Sequence, residues 1–134
     1  MGGARLEVVR RFYASYAAGD LDRLRATLAP DVVILVGGSG EVAGRYVGRQ
    51  GMDDFLALVA AHAARVSARI EDVAAGDEII FSREILTASR RDSPAEEWTI
   101  PLVAQFRVTE GMIHEVRITP EDAEHYSAFY APLR

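Results

Sequence analysis

Leu6, Val9, Phe12, Tyr13, Tyr16 and Ala17 recur at helical spacing and predict an opening helix with one apolar face. Gly19 stops it, and Asp20 is placed to cap a second short helix carrying Leu21, Leu24 and Leu28. Pro30 breaks that pattern, and Val32 to Val36 follows as a continuous aliphatic run, read as a strand buried on both faces. Gly37-Gly38-Ser39-Gly40 reads as a flexible loop, with no helix start behind it to make a phosphate cradle. A third helix is expected from about Met52 to Val66, with Phe55, Leu58, Val59, His62 and Val66 on one face and Leu56 beside them. Beyond it the period changes from helix to strand. Arg69 to Ala74, Glu78 to Ser89, Glu96 to Thr109 and Met112 to Thr119 are β-rich runs separated by turn signals. Thr119-Pro120-Glu121-Asp122 reads as the start of a short terminal helix with Thr119 as cap, carrying Tyr126, Phe129 and Tyr130. Helices followed by an antiparallel meander predict a single α+β domain over residues 1–134.

Composition narrows the chemistry. The 134 residues contain no Cys, no Lys and no Asn, so every one of the 15 basic side chains is Arg. Thiol nucleophiles, disulfides, Cys-type zinc sites, Schiff bases and a phosphate-binding lysine are therefore excluded. Carboxylates, His, Tyr, Ser and Thr remain, a set suited to acid/base work. A net charge of −5 argues against nucleic acid as a partner. No run approaches the roughly 20 apolar residues of a membrane span. Met1-Gly2-Gly3-Ala4-Arg5 leads straight into the amphipathic pattern, so a cytoplasmic protein is expected.

Arg11-Phe12-Tyr13, Ala18-Gly19-Asp20-Leu21-Asp22, Leu28-Ala29-Pro30-Asp31-Val32, Tyr46-Val47-Gly48-Arg49 and Gln105-Phe106-Arg107-Val108 through Gly111-Met112-Ile113 together carry a resemblance. In that order and spacing, from about Leu6 to Thr119, the chain resembles the SnoaL-like and ketosteroid-isomerase-like group of the nuclear transport factor 2-like superfamily. The resemblance implies a curled antiparallel sheet wrapped around the N-terminal helices, a cone with an apolar pocket at its open end. It also implies a homodimer formed through the outer sheet face. The three positions that carry catalytic groups in ketosteroid isomerases fall on Phe12, Val36 and Ala104, all apolar here. The usual isomerase machinery is thus missing.

Strand alternation indicates which other side chains face the cone. Trp98, Ile100, Leu102, Ala104, Phe106 and Val108 form the apolar set of their strand. The family pattern places His114, Val116 and Ile118 on the same side. In the preceding strand the inward set reads Ile80, Ser82, Glu84 and Leu86, with Phe81, Arg83 and Ile85 outward; a one-residue slip would exchange Glu84 for Arg83.

Glu84 is then either a general acid or base, its ionisation disfavoured by an apolar pocket, or one half of an Arg salt bridge. His114 reads as a proton shuttle or as a strand-end histidine half in solvent. His62 faces the pocket or is a hydrogen-bonded core histidine. Tyr16 offers a phenol to a ligand or packs in the core. The expected lining for a small hydrophobic molecule is Phe12, Val36, Leu56, Ser82, Trp98, Ala104, Val116 and Ile118. The two histidines and Glu84 match no recognised metal-ligand spacing.

The expectation is a cofactor-free acid/base enzyme of cyclase, dehydratase, isomerase or epoxide-hydrolase type on a polyketide-, terpenoid- or steroid-like substrate. The alternatives are a non-catalytic ligand-binding module and a dimerisation domain whose outer face would expose Phe81, Ile85 and Val103.

Overall fold

A computed structural model describes residues 2–134. Two helices, α1 (Gly2–Ala18) and α2 (Leu21–Ala26), precede strands β1 (Leu28–Val36) and β2 (Gly44–Val47). Helix α3 (Gly48–His62) leads into β3 (Ala63–Ala75), β4 (Ile79–Arg90), β5 (Ser93–Thr109) and β6 (Met112–Pro120), and α4 (Ala123–Phe129) ends the order. The strands form one curled sheet in the order β2-β1-β6-β5-β4-β3, left open between its edge strands β2 and β3. All neighbours are antiparallel except β1 and β6, which run parallel.

The first junction follows from capping. Gly19 takes a positive φ of 69°, which glycine adopts without steric cost, and its N–H bonds the Tyr16 carbonyl at 3.1 Å. The Asp20 carboxylate accepts from the Arg23 N–H at 3.1 Å, as a cap of α2 should. Val8, Val9 and Phe12 bury the face of α1 that meets the sheet.

Several expectations are corrected by long-range pairing. Leu28 belongs to β1, because its register partner is Ile113 of β6. Pro30, which has no N–H to donate, falls in the irregular stretch before Val33 where the ladder skips. In β1, Val32, Ile34 and Val36 are buried while Val33 and Leu35 are only half-buried, so its two faces differ. Strand β2 has four residues on an open edge, too short to show a period.

The third helix stops at His62, four residues before Val66. Ala63 turns to extended geometry and pairs with Arg90, and Val66 pairs with Ala88. The alanine-rich stretch 60–64 suits a helix by propensity, but a strand ladder along β4 takes its second half. Thr119 and Pro120 likewise stay in β6, paired with Val103 and Leu102; Asp122 caps α4 instead, accepting from the His125 N–H at 3.0 Å.

The glycine loop after β1 is packed rather than free. Gly37 N–H bonds the Ile118 carbonyl at 3.0 Å, and Ser39 N–H bonds Ser127 Oγ at 2.8 Å. A Cβ on Gly40 would lie 2.9 Å from Tyr130 Cβ, so only glycine lets α4 settle this close. That seat is what brings Tyr126 and Tyr130 over the concave face of the sheet.

Candidate functional site

Between α1, α3, α4 and the concave face lies a cavity of about 70 Å³. Its wall is nearly all apolar: Phe12 from α1, Met52 and Phe55 from α3, Leu86, Leu102, Ala104 and Phe106 from the middle strands, and Val116 and Ile118 from β6. The polar exceptions are Glu84 and the phenols of Tyr13, Tyr16, Tyr126 and Tyr130.

The register decides between Glu84 and Arg83. Glu84 pairs with Ile70 on one side and Leu102 on the other, on the same face as the apolar set of β5. Arg83 points the opposite way and is held by carboxylates outside the cone, at 2.8 Å from Glu121 and in contact with Glu71. Glu84 receives a hydrogen bond from the Tyr13 hydroxyl at 2.9 Å, and that hydroxyl also lies 2.8 Å from Ser82 Oγ. With Tyr13 donating to Glu84, Ser82 donates to Tyr13, a chain of two bonds ending on one carboxylate oxygen. Tyr13 is fixed by its own packing: Phe12 and Phe106 lie edge-on to it, each with ring centres 5.5 Å away.

Burial in this wall raises the Glu84 carboxyl above its ordinary value, and the Tyr13 hydrogen bond only partly opposes that rise. Tyr13 itself is pushed far up, first by burial and then by the Glu84 charge. Burial likewise raises Tyr16, Tyr126 and Tyr130, so at neutral pH all four phenols keep their protons as donors. The hydroxyls of Tyr16, Tyr126 and Tyr130 make no hydrogen bond to the described residues and border the cavity, whereas the one buried side-chain polar atom without a partner among the described residues is Trp98 Nε1, away from it.

Of the residues expected from sequence, Glu84, Tyr16, Phe12, Leu56, Ala104, Val116 and Ile118 border the cavity. Ser82 is buried behind Tyr13 and reaches the cavity only through it. Val36 lies in the core without bordering the cavity. Trp98 stands away from it, stacked on His125 at 5.0 Å and edge-on to Phe129 at 5.3 Å.

Both histidines are displaced from the cavity. His62 is buried, with Nδ1 2.9 Å from the Leu58 carbonyl and Nε2 2.6 Å from Glu41, so both ring nitrogens are engaged in structure. His114 misses because of a bulge. Arg107 pairs with Glu115 and Val108 with Ile113, which makes His114 the extra residue and turns it out toward Asp31, 3.8 Å away. On the outer face Phe81 is 37% exposed as expected, but Ile85 is buried, so the apolar patch is smaller than the alternation suggests.

Sequence reasoning missed Tyr13, Tyr126 and Tyr130. Tyr126 and Tyr130 stand four apart, a helical spacing that does place them on one face. The side they pack against is set by the glycine seat. Among the described residues no three His, Cys, Asp or Glu side chains are grouped to hold a metal ion, and no helix is long and apolar enough to cross a membrane.

An open curled sheet with its helices packed in the concavity is the fold of the NTF2-like proteins, and solved structures agree. An NTF2-like protein of unknown function from Burkholderia pseudomallei superposes with a TM-score of 0.86 at 18% identity, over 96% of this chain and 98% of that one. A protein described as a SnoaL-like polyketide cyclase from Jannaschia sp. gives 0.80 at 19%, over 98% and 94%. TerC, co-crystallised with polyporic acid, gives 0.84 at 13%, over 94% and 98%. At these identities the likeness is one of fold. The sequence profile of the SnoaL-like domain matches residues 9–116, and the chain belongs to that family. No curated protein matches it.

Proposed function

We propose that this protein is an acid/base enzyme that moves a proton on a small hydrophobic, oxygen-bearing molecule, of the polyketide, terpenoid or steroid kind. The observation that carries the reading is one carboxylate, Glu84, with a single protein hydrogen bond, set in a cavity wall that is otherwise apolar save for four phenols. Its second oxygen, Oε1, is bonded to no described residue and is available to a ligand.

A base works best when its proton affinity is matched to the working pH, and burial moves Glu84 in that direction. Glu84 takes a proton from a carbon next to a carbonyl and returns it elsewhere, with no net oxidation. The unpartnered phenols of Tyr16, Tyr126 and Tyr130 supply donors for the carbonyl oxygen as it gains charge. Cyclisation, dehydration and isomerisation all share this proton step. The SnoaL-like family and a structural neighbour described as a polyketide cyclase support the same class.

The test needs no cognate substrate. 2-Tetralone, an apolar ketone with acidic α-protons, is incubated with the protein in D2O and its proton loss is followed by NMR. Exchange catalysed by the native chain should fall by about 10²-fold or more in Glu84→Gln, the range expected for loss of a general base. Equal rates for the two proteins would remove the proposal.

A second reading is a ligand-binding module without catalysis, favoured by Phe12, Val36 and Ala104 standing where isomerases carry their groups. It expects the ketone to stabilise the fold with no exchange in either protein.

A further inference from the structure

Both ring nitrogens of His62 face acceptors. Nδ1 lies 2.9 Å from the Leu58 carbonyl and Nε2 lies 2.6 Å from Glu41 Oε1, with the imidazole only 4% exposed. A neutral imidazole carries one N–H, while a carbonyl and an ionised carboxylate carry no proton to donate. Each contact needs its own proton, so the pair holds one more than a neutral histidine beside an ionised glutamate. Without that proton a ring lone pair and a carboxylate oxygen would face each other, and the Glu41 side chain, 48% exposed, is free to turn to solvent.

Glu41 belongs to the loop that seats α4. Its N–H donates to the Tyr130 carbonyl at 3.1 Å, the Ser39 N–H donates to Ser127 Oγ at 2.8 Å, and Gly40 sits where a Cβ would strike Tyr130. The Tyr130 ring also lies edge-on to the imidazole, with ring centres 5.7 Å apart. The end of α3, the loop and the end of α4 therefore meet at this one contact.

We infer that the His62–Glu41 contact is a proton-dependent latch. With the shared proton it fastens the loop 37–43 to α3 and seats α4; without it the loop loosens, and Tyr126 and Tyr130 with it, over the cavity. The latch stands whether or not Glu84 is catalytic.

The charged groups around the pair, with one exception, keep their charge where histidine changes its own. Arg90 of β4 faces Glu41 and Glu96 and is bound to Asp92, which it holds below the usual carboxylate range. Arg91 bonds the His62 carbonyl through its N–H at 2.9 Å and the Ala60 carbonyl through Nε at 2.8 Å. Guanidinium groups stay charged throughout, and burial raises the Tyr130 phenol. The exception is Glu84, which is itself raised and whose charge reaches Tyr130, so Glu84→Gln serves as the control.

Amide hydrogen exchange followed by NMR, expressed as protection relative to an unstructured peptide, reads the latch. Histidine changes charge between about pH 5 and pH 8. Across that range protection of the Glu41 and Ser39 N–H groups should fall by about tenfold or more, the worth of one hydrogen bond to a charged group. Protection of Phe106 in the middle of the sheet should hold. In Glu41→Gln the side-chain amide can donate to a neutral imidazole, so the extra proton is not needed and the fall should vanish. Glu84→Gln should keep it. Constant protection of the loop in the native chain, a fall that persists in Glu41→Gln, or one abolished by Glu84→Gln would each overturn the latch.

Discussion

Strand β4 carries two inward charged side chains six residues apart, the half-buried Glu84 near its middle and the buried Arg90 at its end, and they are treated in opposite ways. Arg90 spends its donors on the chain itself. Its guanidinium bonds the carbonyls of Phe129 at 2.6 Å, Ala131 at 2.8 Å and Pro132 at 3.1 Å, and grips Asp92 at 2.8 Å. Glu84 keeps one oxygen unbonded toward a cavity. A buried charge whose partners are all protein groups secures a fold; a carboxyl left partly unanswered beside empty space is available to a ligand. Here the first kind clamps the tail behind α4, and α4 with its C-cap residue in turn supplies Tyr126 and Tyr130 to the second.

The comparison extends to pH, with opposite signs. Asp92 is held well below the usual carboxylate range by the Arg90 side chain and the Arg134 N–H. Its contribution to stability is present above the ordinary aspartate value and lost as pH falls toward the lowered one. Glu84 is raised, so the folded protein keeps a proton that the unfolded chain releases. Stability therefore declines as pH rises from the ordinary glutamate value through the raised one.

The largest effect should come from unseating α4. Phe129 is fully buried, and Phe129→Ala should cost about 3–5 kcal/mol in urea unfolding, with the cavity losing its tyrosine wall. Arg90→Ala should act in the same direction by releasing the tail carbonyls, read as a lower melting temperature and faster proteolysis at the C-terminus. Glu84→Gln should leave the clamp intact while lowering ketone exchange by about 10²-fold. If it instead unfolded the chain as Arg90→Ala does, the distinction between the two sites would fail.

Tyr13→Phe should have a smaller effect. It removes the hydrogen bond that pulls Glu84 downward, so the rise of exchange rate with pH should move to higher pH while the maximum rate changes little. The smallest effect concerns stability alone: unfolding of Glu84→Gln at several pH values should lack the decline assigned to Glu84. Asp92→Asn should lack the loss on acidification.

Much of this was legible in the sequence where local pattern and tertiary pairing agree. The alternation Trp98 to Val108 gave the inner face of β5, and Gly19 and Asp20 marked the α1–α2 junction; in the mixed strand β4 a one-residue slip would exchange Glu84 for Arg83, and only the pairing of Glu84 with Leu102 decides between them. It failed where a long-range partner overrode the local signal. The bulge at His114 reversed the parity of half a strand, and no feature of Glu110 to Glu115 announces it. The stretch 60–64, alanine but for His62, suits a helix by propensity, so only pairing with β4 decides where α3 ends. Tyr13 looked like one more apolar-face aromatic; its hydroxyl acquires a role only because Ser82 and Glu84 arrive beside it from a strand about 70 residues later.

The cavity wall should hold the Glu84 carboxyl above the ordinary glutamate range, with the Tyr13 hydrogen bond opposing part of that rise. Carbon-13 NMR titration of side-chain-labelled glutamate, with Glu84→Gln identifying the signal, measures this directly. Glu84 should titrate above the ordinary glutamate range, and higher still in Tyr13→Phe. Titration within the ordinary range, unmoved by Tyr13→Phe, would contradict it.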